Sequence, residues 1–321
     1  MSNDKVRIFR SSVDHKYRHF IGNPEVNPKQ YEAAGIISPQ QGGAIDAITV
    51  LNEVLGIAKG AYNLRALCRI LPMNNLKETI DIATGSTVQK KVPSLTSVDL
   101  SALDWDHVDF DLWKNVGKIA IADESQMKQR HPQMQLNIEQ LGYDLAAAEN
   151  EQIAVVAEKC TEKVTAATYA DWGAVTSGVS NTNPLSAITA HINAIEKAVK
   201  RPVDVLAMHP TLCDKFVQNT YVRDLIWAGM AKFNDTNTGG FFKLPNRPQI
   251  TVITDLNLTE TPDGTHGPVL ASTTAPGIVF GEGPTMAVQY RDEDIGADMY
   301  KIMQWLEPKI VRDAALSKIC T

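Results

Sequence analysis

The residue with the strongest local claim to chemistry is His209, which follows the apolar stretch Val203 to Met208 and precedes Pro210. Open α/β sheets present active residues at the ends of buried strands, so a hydrolase using His209 is one reading. No nucleophile partner is identifiable in sequence, and a helix cap or packed turn is the plainer assignment. The pairs Asp104/Asp106 and Asp109/Asp111 alternate along one segment. Crowded carboxylates shift one another's pKa and can divide acid and base roles; facing solvent or a neighbour's lysines is the simpler reading. Asp292, Glu293, Asp294 and Asp298 lack the glycine and alternating oxygen ligands of a calcium loop. His15 and His19 are four residues apart, with no Cys, Asp or Glu in zinc-ligand register. Gly281-Glu282-Gly283 runs into Pro284 and misses the third glycine of a dinucleotide fingerprint, so it reads as a turn. The zinc-protease motif H-E-x-x-H, the phosphate loop and G-x-S-x-G are all missing from the sequence. The expectation is a non-enzymatic protein with no cofactor or metal.

Composition narrows the class. The four cysteines, Cys68, Cys160, Cys213 and Cys320, are dispersed without a CxxC pair. That is neither a zinc site nor a disulfide framework, and a reducing compartment fits it. With 321 residues, 44% hydrophobic and 21% charged, the chain has the balance of a folded protein with one large domain or two modest ones. No apolar run approaches the length of a membrane span. The start, MSNDKVRIFR, has no apolar run behind its basic residues, which argues against a signal peptide. A net charge of -6 is not that of a dedicated nucleic-acid binder. Residues 1–30 nevertheless carry Lys5, Arg7, Arg10, Lys16, Arg18 and Lys29 against Asp4, Asp14 and Glu25. This basic stretch is either a solvated tail or an arm touching neighbours or nucleic acid.

The elements that must position these residues follow from periodicity. Residues 1–42 lack it, yet hold Phe9, Phe20, Ile21, Ile36 and Ile37, which suits an extended segment lying on another surface. Ile45, Ile48, Leu51, Val54 and Leu55 mark a helix ending near Gly60. Thr79–Ile82 and Thr87–Val92 flank Ala83-Thr84-Gly85-Ser86, a candidate hairpin with few apolar anchors. Val108, Phe110 and Leu112 share a parity that Ile119 and Ile121 invert, which predicts a bulge near Asn115-Val116-Gly117. Met134, Ile138, Leu141, Leu145 and Ala148, then Ile153, Val156 and Cys160 after a phase slip, predict one helix from Pro132 to Cys160. Asn183-Pro184 opens a helix through Ile188, Ile192, Ile195 and Val199; strands follow at 203–208 and 250–254, with a mobile loop over 230–249 between them. Further strands are expected at 277–280, 286–290 and 300–311, where Pro308 argues for an edge or bulge.

Taken in order, these segments resemble the major capsid proteins of tailed bacteriophages and related viruses, the shell fold shared with encapsulins. The resemblance rests on Ile70 to Pro93 as an extended loop, and on Val108–Leu112 and Lys118–Ser125 before a long spine helix. It rests also on Val203–Pro210 as a domain core, Met303–Val311 as a closing strand and Asp313–Ile319 as a return. It implies an α+β fold with these parts: an N-terminal arm 1–42, a peripheral-domain helix 43–68 and an extended loop 69–98. Then come a peripheral domain with spine helix 99–175, an axial domain 176–284, closing strands 285–312 and a return to the axial domain 313–321. The function implied is self-assembly through hexamers and pentamers into an icosahedral shell around double-stranded DNA, in a virion formed in the host cytoplasm. An encapsulin-like nanocompartment is the alternative. Implied partners are many copies of the chain, portal and scaffolding proteins, decoration proteins, and packaged DNA in non-specific contact; no membrane is implied. The short stretch before the first helix suits a mature chain or one using a separate scaffold. Phe9, Arg10, Phe20, Lys77, Lys90 and Lys91 are the expected inter-subunit contacts, and Ile138, Leu141 and Leu145 the spine-helix core. In the arm, burial of Phe9, Phe20 and Ile21 is expected to outweigh exposed charge pairs. A lysine–asparagine crosslink, known in some members, is not expected, because no asparagine or activating acid can be matched to the loop lysines.

Overall fold

The structure, a computed structural model, describes residues 7–10, 17–20, 47–84, 104–122, 131–165, 169, 172, 183–233, 240–245, 247–294 and 296–321. Strands β1 (Arg7–Arg10) and β2 (Tyr17–Phe20) pair antiparallel. Helix α1 (Ala47–Ala61) buries Val50, Leu51 and Val54. A 3-10 turn at Leu64–Leu67 leads into β3 (Cys68–Pro72). Next come β4 (Lys77–Thr84), β5 (Asp104–Asp111) and β6 (Trp113–Ala122). Helix α2 (His131–Ala157) has 27 residues, a length of about 40 Å at 1.5 Å per residue.

The second half begins with α3 (Pro184–Val199), where the Asn183 side chain accepts from the Leu185 and Ser186 amides and Pro184 occupies the first turn. It continues through β7 (Val205–Met208), α4 (Pro210–Gln218), α5 (Thr220–Trp227), β8 (Ala231–Lys232), β9 (Gly240–Lys243), β10 (Gln249–Thr254) and β11 (Val269–Ala271). The long strands β12 (Ile278–Asp292) and β13 (Ala297–Ile310) precede a 3-10 turn at Asp313–Ala315 and β14 (Leu316–Lys318).

These strands build a six-stranded mixed sheet, β14-β11-β7-β10-β9-β8, and a four-stranded sheet, β3-β12-β13-β6. β7 lies inside the larger sheet and is buried on both faces, which is why its sequence reads as an unbroken apolar run. Leu206 and Met208 face a core with α3, α4 and α5, while Val205 and Ala207 face the end of α2 and the smaller sheet. The N-terminal half of α2 packs instead with α1 on the smaller sheet, through Ile138, Leu141 and Leu145 against Ile119, Ala287 and Ile302. One helix therefore contributes to two cores. Leu141 presses on β6 where Gly117 sits, and a Cβ there would collide with it.

Four expectations need correcting. β4 pairs not with residues 87–92, which lie outside the described residues, but with β5, from Lys77↔Asp111 to Thr84↔Asp104. The turn expected at 83–86 therefore begins inside a strand. The parity inversion between Phe110 and Ile119 happens at Leu112, where the chain leaves one sheet for another; β6 pairs with β13 in unbroken register through 115–117. The bulge is in β12, between Glu282 and Thr285. It lets Ile278 and Phe280 before it and Ala287 after it all point inward beside β13, so Gly281-Glu282-Gly283 is strand rather than turn. Residues 240–243, read as loop, form β9, anchored by fully buried Phe242. Pro308 pairs only with β12, because β6 ends opposite Leu306, and so it meets a local edge.

Candidate assembly surfaces

The β4–β5 ribbon is its own two-stranded sheet, and among the described residues it is anchored at its base. Phe110 and Leu112 pack with Met73 and Val279, joined at the margin by Ile80, Val108 and Trp305. This contact requires the glycines of β12: a Cβ on Gly281 would lie 2.9 Å from Met73 Sδ, and one on Gly283 2.8 Å from Leu112 Cδ1. Two side chains of β13 then hold the free edge of β5. The Asp111 amide donates to Glu307 Oε2 at 2.6 Å, and Lys309 Nζ donates to the Asp109 carbonyl at 2.6 Å.

Above the base, one face of the ribbon is a ladder of polar cross-strand pairs. Lys77 Nζ sits 3.2 Å from Asp111, Thr79 Oγ1 donates to Asp109 at 2.7 Å, and His107 Nδ1 meets Asp81 at 2.7 Å. All are exposed, and exposed pairs contribute only about 0–1 kcal/mol each. The ribbon strands carry six carboxylates (Glu78, Asp81, Asp104, Asp106, Asp109, Asp111) against Lys77, a net of -5 with His107 neutral.

Where α2 meets the smaller sheet lies a buried ion pair that periodicity hides. Arg65 donates through Nε to Glu149 Oε1 and through Nη2 to Oε2 at 2.8 Å; Nη2 also lies 3.3 Å from Glu282. Gln304 donates to Glu149 at 3.4 Å, and the guanidinium covers the Tyr62 ring at 3.9 Å. Burial pushes the Glu149 carboxyl above its usual range against the pull of Arg65. Burial also works against the Arg65 charge, but the hydrogen bonds and charge of Glu149 outweigh it and raise that pKa. Glu149 is fully buried and Ala148 only partly, so the inward stripe is 138, 141, 145, 149, 153 and 157. The phase slip expected after Ala148 disappears once a charged residue is allowed in the stripe. Arg65, 84 residues away, is the partner that permits it.

His209 is the N-cap of α4: it is buried, and its Nδ1 accepts from the Thr211 amide at 3.2 Å. That hydrogen bond engages the Nδ1 lone pair in capping, the plainer of the two roles its sequence context allowed. Asp109 and Asp111 are spent on the ribbon's own pairs. Phe9 and Arg10 fall in β1 and Phe20 in β2, which lies against β12, while Lys90 and Lys91 lie outside the described residues. Ile138, Leu141 and Leu145 are buried. The four cysteines are free thiols; burial pushes Cys160 up to about 12 and Cys213 up to about 11, so neither is a reactive thiolate. Among the described residues no cluster of three or more His, Cys, Asp or Glu is arranged to hold a metal, and no helix is long and apolar enough to cross a membrane.

No family model and no curated protein matches the chain. Its likeness is to solved shell structures. It is similar to the virus-like particle from Pyrococcus furiosus (TM-score 0.52, 12% identity, covering 84% of this chain and 97% of that one). The capsid of cyanophage P-SCSP1u gives TM-score 0.55 and 14% identity over 79% and 86% of the two chains. The capsid of an empty GTA particle gives 0.53 and 10% over 93% and 99%. The fold is therefore that of capsid-shell proteins, α+β with mixed sheets.

Proposed function

We propose that this chain is the major subunit of an icosahedral shell, assembled from hexamers and pentamers of itself around double-stranded DNA. The observation that carries the reading is the β4–β5 ribbon, anchored among the described residues at its base and bearing exposed polar pairs that add little stability to its own subunit. A ribbon of this kind gains support when a neighbour supplies the missing surface. Phe9, Arg10 and Phe20 in the N-terminal segment, with Lys90 and Lys91 beyond β4, are further proposed contacts between copies. Portal, scaffolding and decoration proteins, with assembly in a host cytoplasm, complete the proposal.

The test is a trimmed ribbon. Replacing residues 81–107 by Asn-Gly joins Ile80 to Val108 across a register pair and leaves the anchored base. The wild-type chain is expected to purify as multi-megadalton closed particles by electron microscopy, and the trimmed chain as folded small species. Closed particles of unchanged size from the trimmed chain would defeat the reading. Folded protein cargo inside wild-type particles, with no nucleic acid, would move it to a nanocompartment.

A further inference from the structure

A belt of polar side chains separates the two cores that share α2. On the helix, Leu145 belongs to one core and Ile153 to the other, with buried Glu149 between them. On β13, Ile302 and Leu306 divide in the same way, with Gln304, only 2% exposed, between them. Asn115 of β6 pairs with Gln304 across the sheet, so both side chains lie on the face under α2. Gln304 Nε2 donates to Glu149 Oε2 at 3.4 Å, and Gln152 Nε2 donates to Asn115 Oδ1 at 3.0 Å. Those bonds use one end of each amide. The other ends, Gln304 Oε1 and Asn115 Nδ2, are buried and have no hydrogen-bond partner among the described residues.

We propose that Asn115 and Gln304 hold a buried water molecule between them, which accepts from Asn115 Nδ2 and donates to Gln304 Oε1. Buried amide ends left unbonded are costly, and an internal water is the ordinary way such groups are satisfied. The chemistry of the belt selects the ligand. A donor at Asn115 turns away a cation. Arg65 answers one of the two carboxylates, Glu149 and Glu282, and the excess negative charge turns away an anion. A neutral molecule that both gives and accepts a hydrogen bond fits. Water then has one hydrogen and one lone pair to spare, and the Tyr62 hydroxyl, also buried and without a partner among the described residues, can take either. The joint between the cores is therefore wet, while each core beside it is apolar. This site belongs to the single subunit and does not depend on the shell reading.

A crystallographic map of the full-length chain that resolves ordered water tests the proposal. A peak is expected within about 3.2 Å of both Asn115 Nδ2 and Gln304 Oε1, unchanged when rubidium replaces sodium in the buffer. No peak there, a direct bond between the two amides, or a peak with an anomalous signal in rubidium overturns the proposal and leaves the shell reading intact. Oxygen-17 relaxation dispersion of the unassembled chain then counts long-lived internal waters. Asn115→Leu, Gln304→Met and the double variant are each expected to lose the same single water relative to wild type. An undiminished count in either single variant, or a loss of two waters in the double variant, also overturns it.

Discussion

In the six-stranded sheet, β7 is covered on both faces, and around it Trp172, Phe216 and Phe242 form a fully buried aromatic cluster with ring centroids 5.6 Å apart. In the β4–β5 ribbon, Phe110 is the one fully buried side chain among the described residues, and beyond Ile80 and Val108 the exposed Asp81–His107 pair is one that water can replace. Both regions are β structure, and they are stabilised in opposite ways. The sheet carries its stability within the subunit, through burial worth about 25 cal/mol per Å². The ribbon, among the described residues, keeps its base there through Phe110 and Leu112. On the proposed shell reading the two would divide the work, the body folding before assembly and the ribbon ordering with it.

The comparison can be broken most directly in the body. Phe216→Ala is expected to cost about 3–5 kcal/mol, read from denaturant unfolding of the unassembled chain; a loss below about 1 kcal/mol would show that the aromatic cluster is not the centre of stability. Leu141→Ala, at the other core, should cost about 2–5 kcal/mol by the same measurement. A change under about 0.5 kcal/mol there would mean the contact with Gly117 carries no packing energy.

A smaller effect is expected where the chain returns from β13 to β14. Asp313 accepts from Lys163 Nζ at 2.6 Å and from the Thr161 amide at 3.0 Å. Burial works to raise its carboxyl, but the hydrogen bonds from Lys163 and Thr161 outweigh it and hold it below the ordinary value of 3.8. A carboxyl depressed by folding stabilises the native state above its unfolded pKa and loses that contribution as pH falls through the folded one. Asp313→Asn should therefore lower Tm most at pH 6–7, well above the carboxyl's ordinary value of 3.8, and the gap to wild type should narrow as pH falls below that value. A gap constant with pH would assign the loss to geometry. The smallest effect belongs to the ribbon: trimming 81–107 should change monomer stability by less than about 1 kcal/mol. A larger loss would mean the ribbon supports its own domain.

Much of the fold was legible locally. Asn183-Pro184 followed by Ile188, Ile192 and Ile195 specifies α3, because capping and a 3.6-residue period act over a few residues. The apolar run at β7 declares a strand covered on both sides for the same reason. The cap at His209 was one of two readings its neighbours allowed, and only the burial and hydrogen bond of the ring separate cap from base.

The sequence by itself determined the elements whose signals are short-range: the long helix, the capped helices and the alternating strands. Tertiary structure decided the pairings. β4 finds β5 across a segment of 19 residues, from 85 to 103, that carries no marker of which strand lies opposite. Glu149 looks like a solvent-facing residue in sequence, and its burial depends on Arg65 and Gln304 arriving from two other parts of the chain. The charge of a carboxylate is local, but its cost of burial is set by what surrounds it.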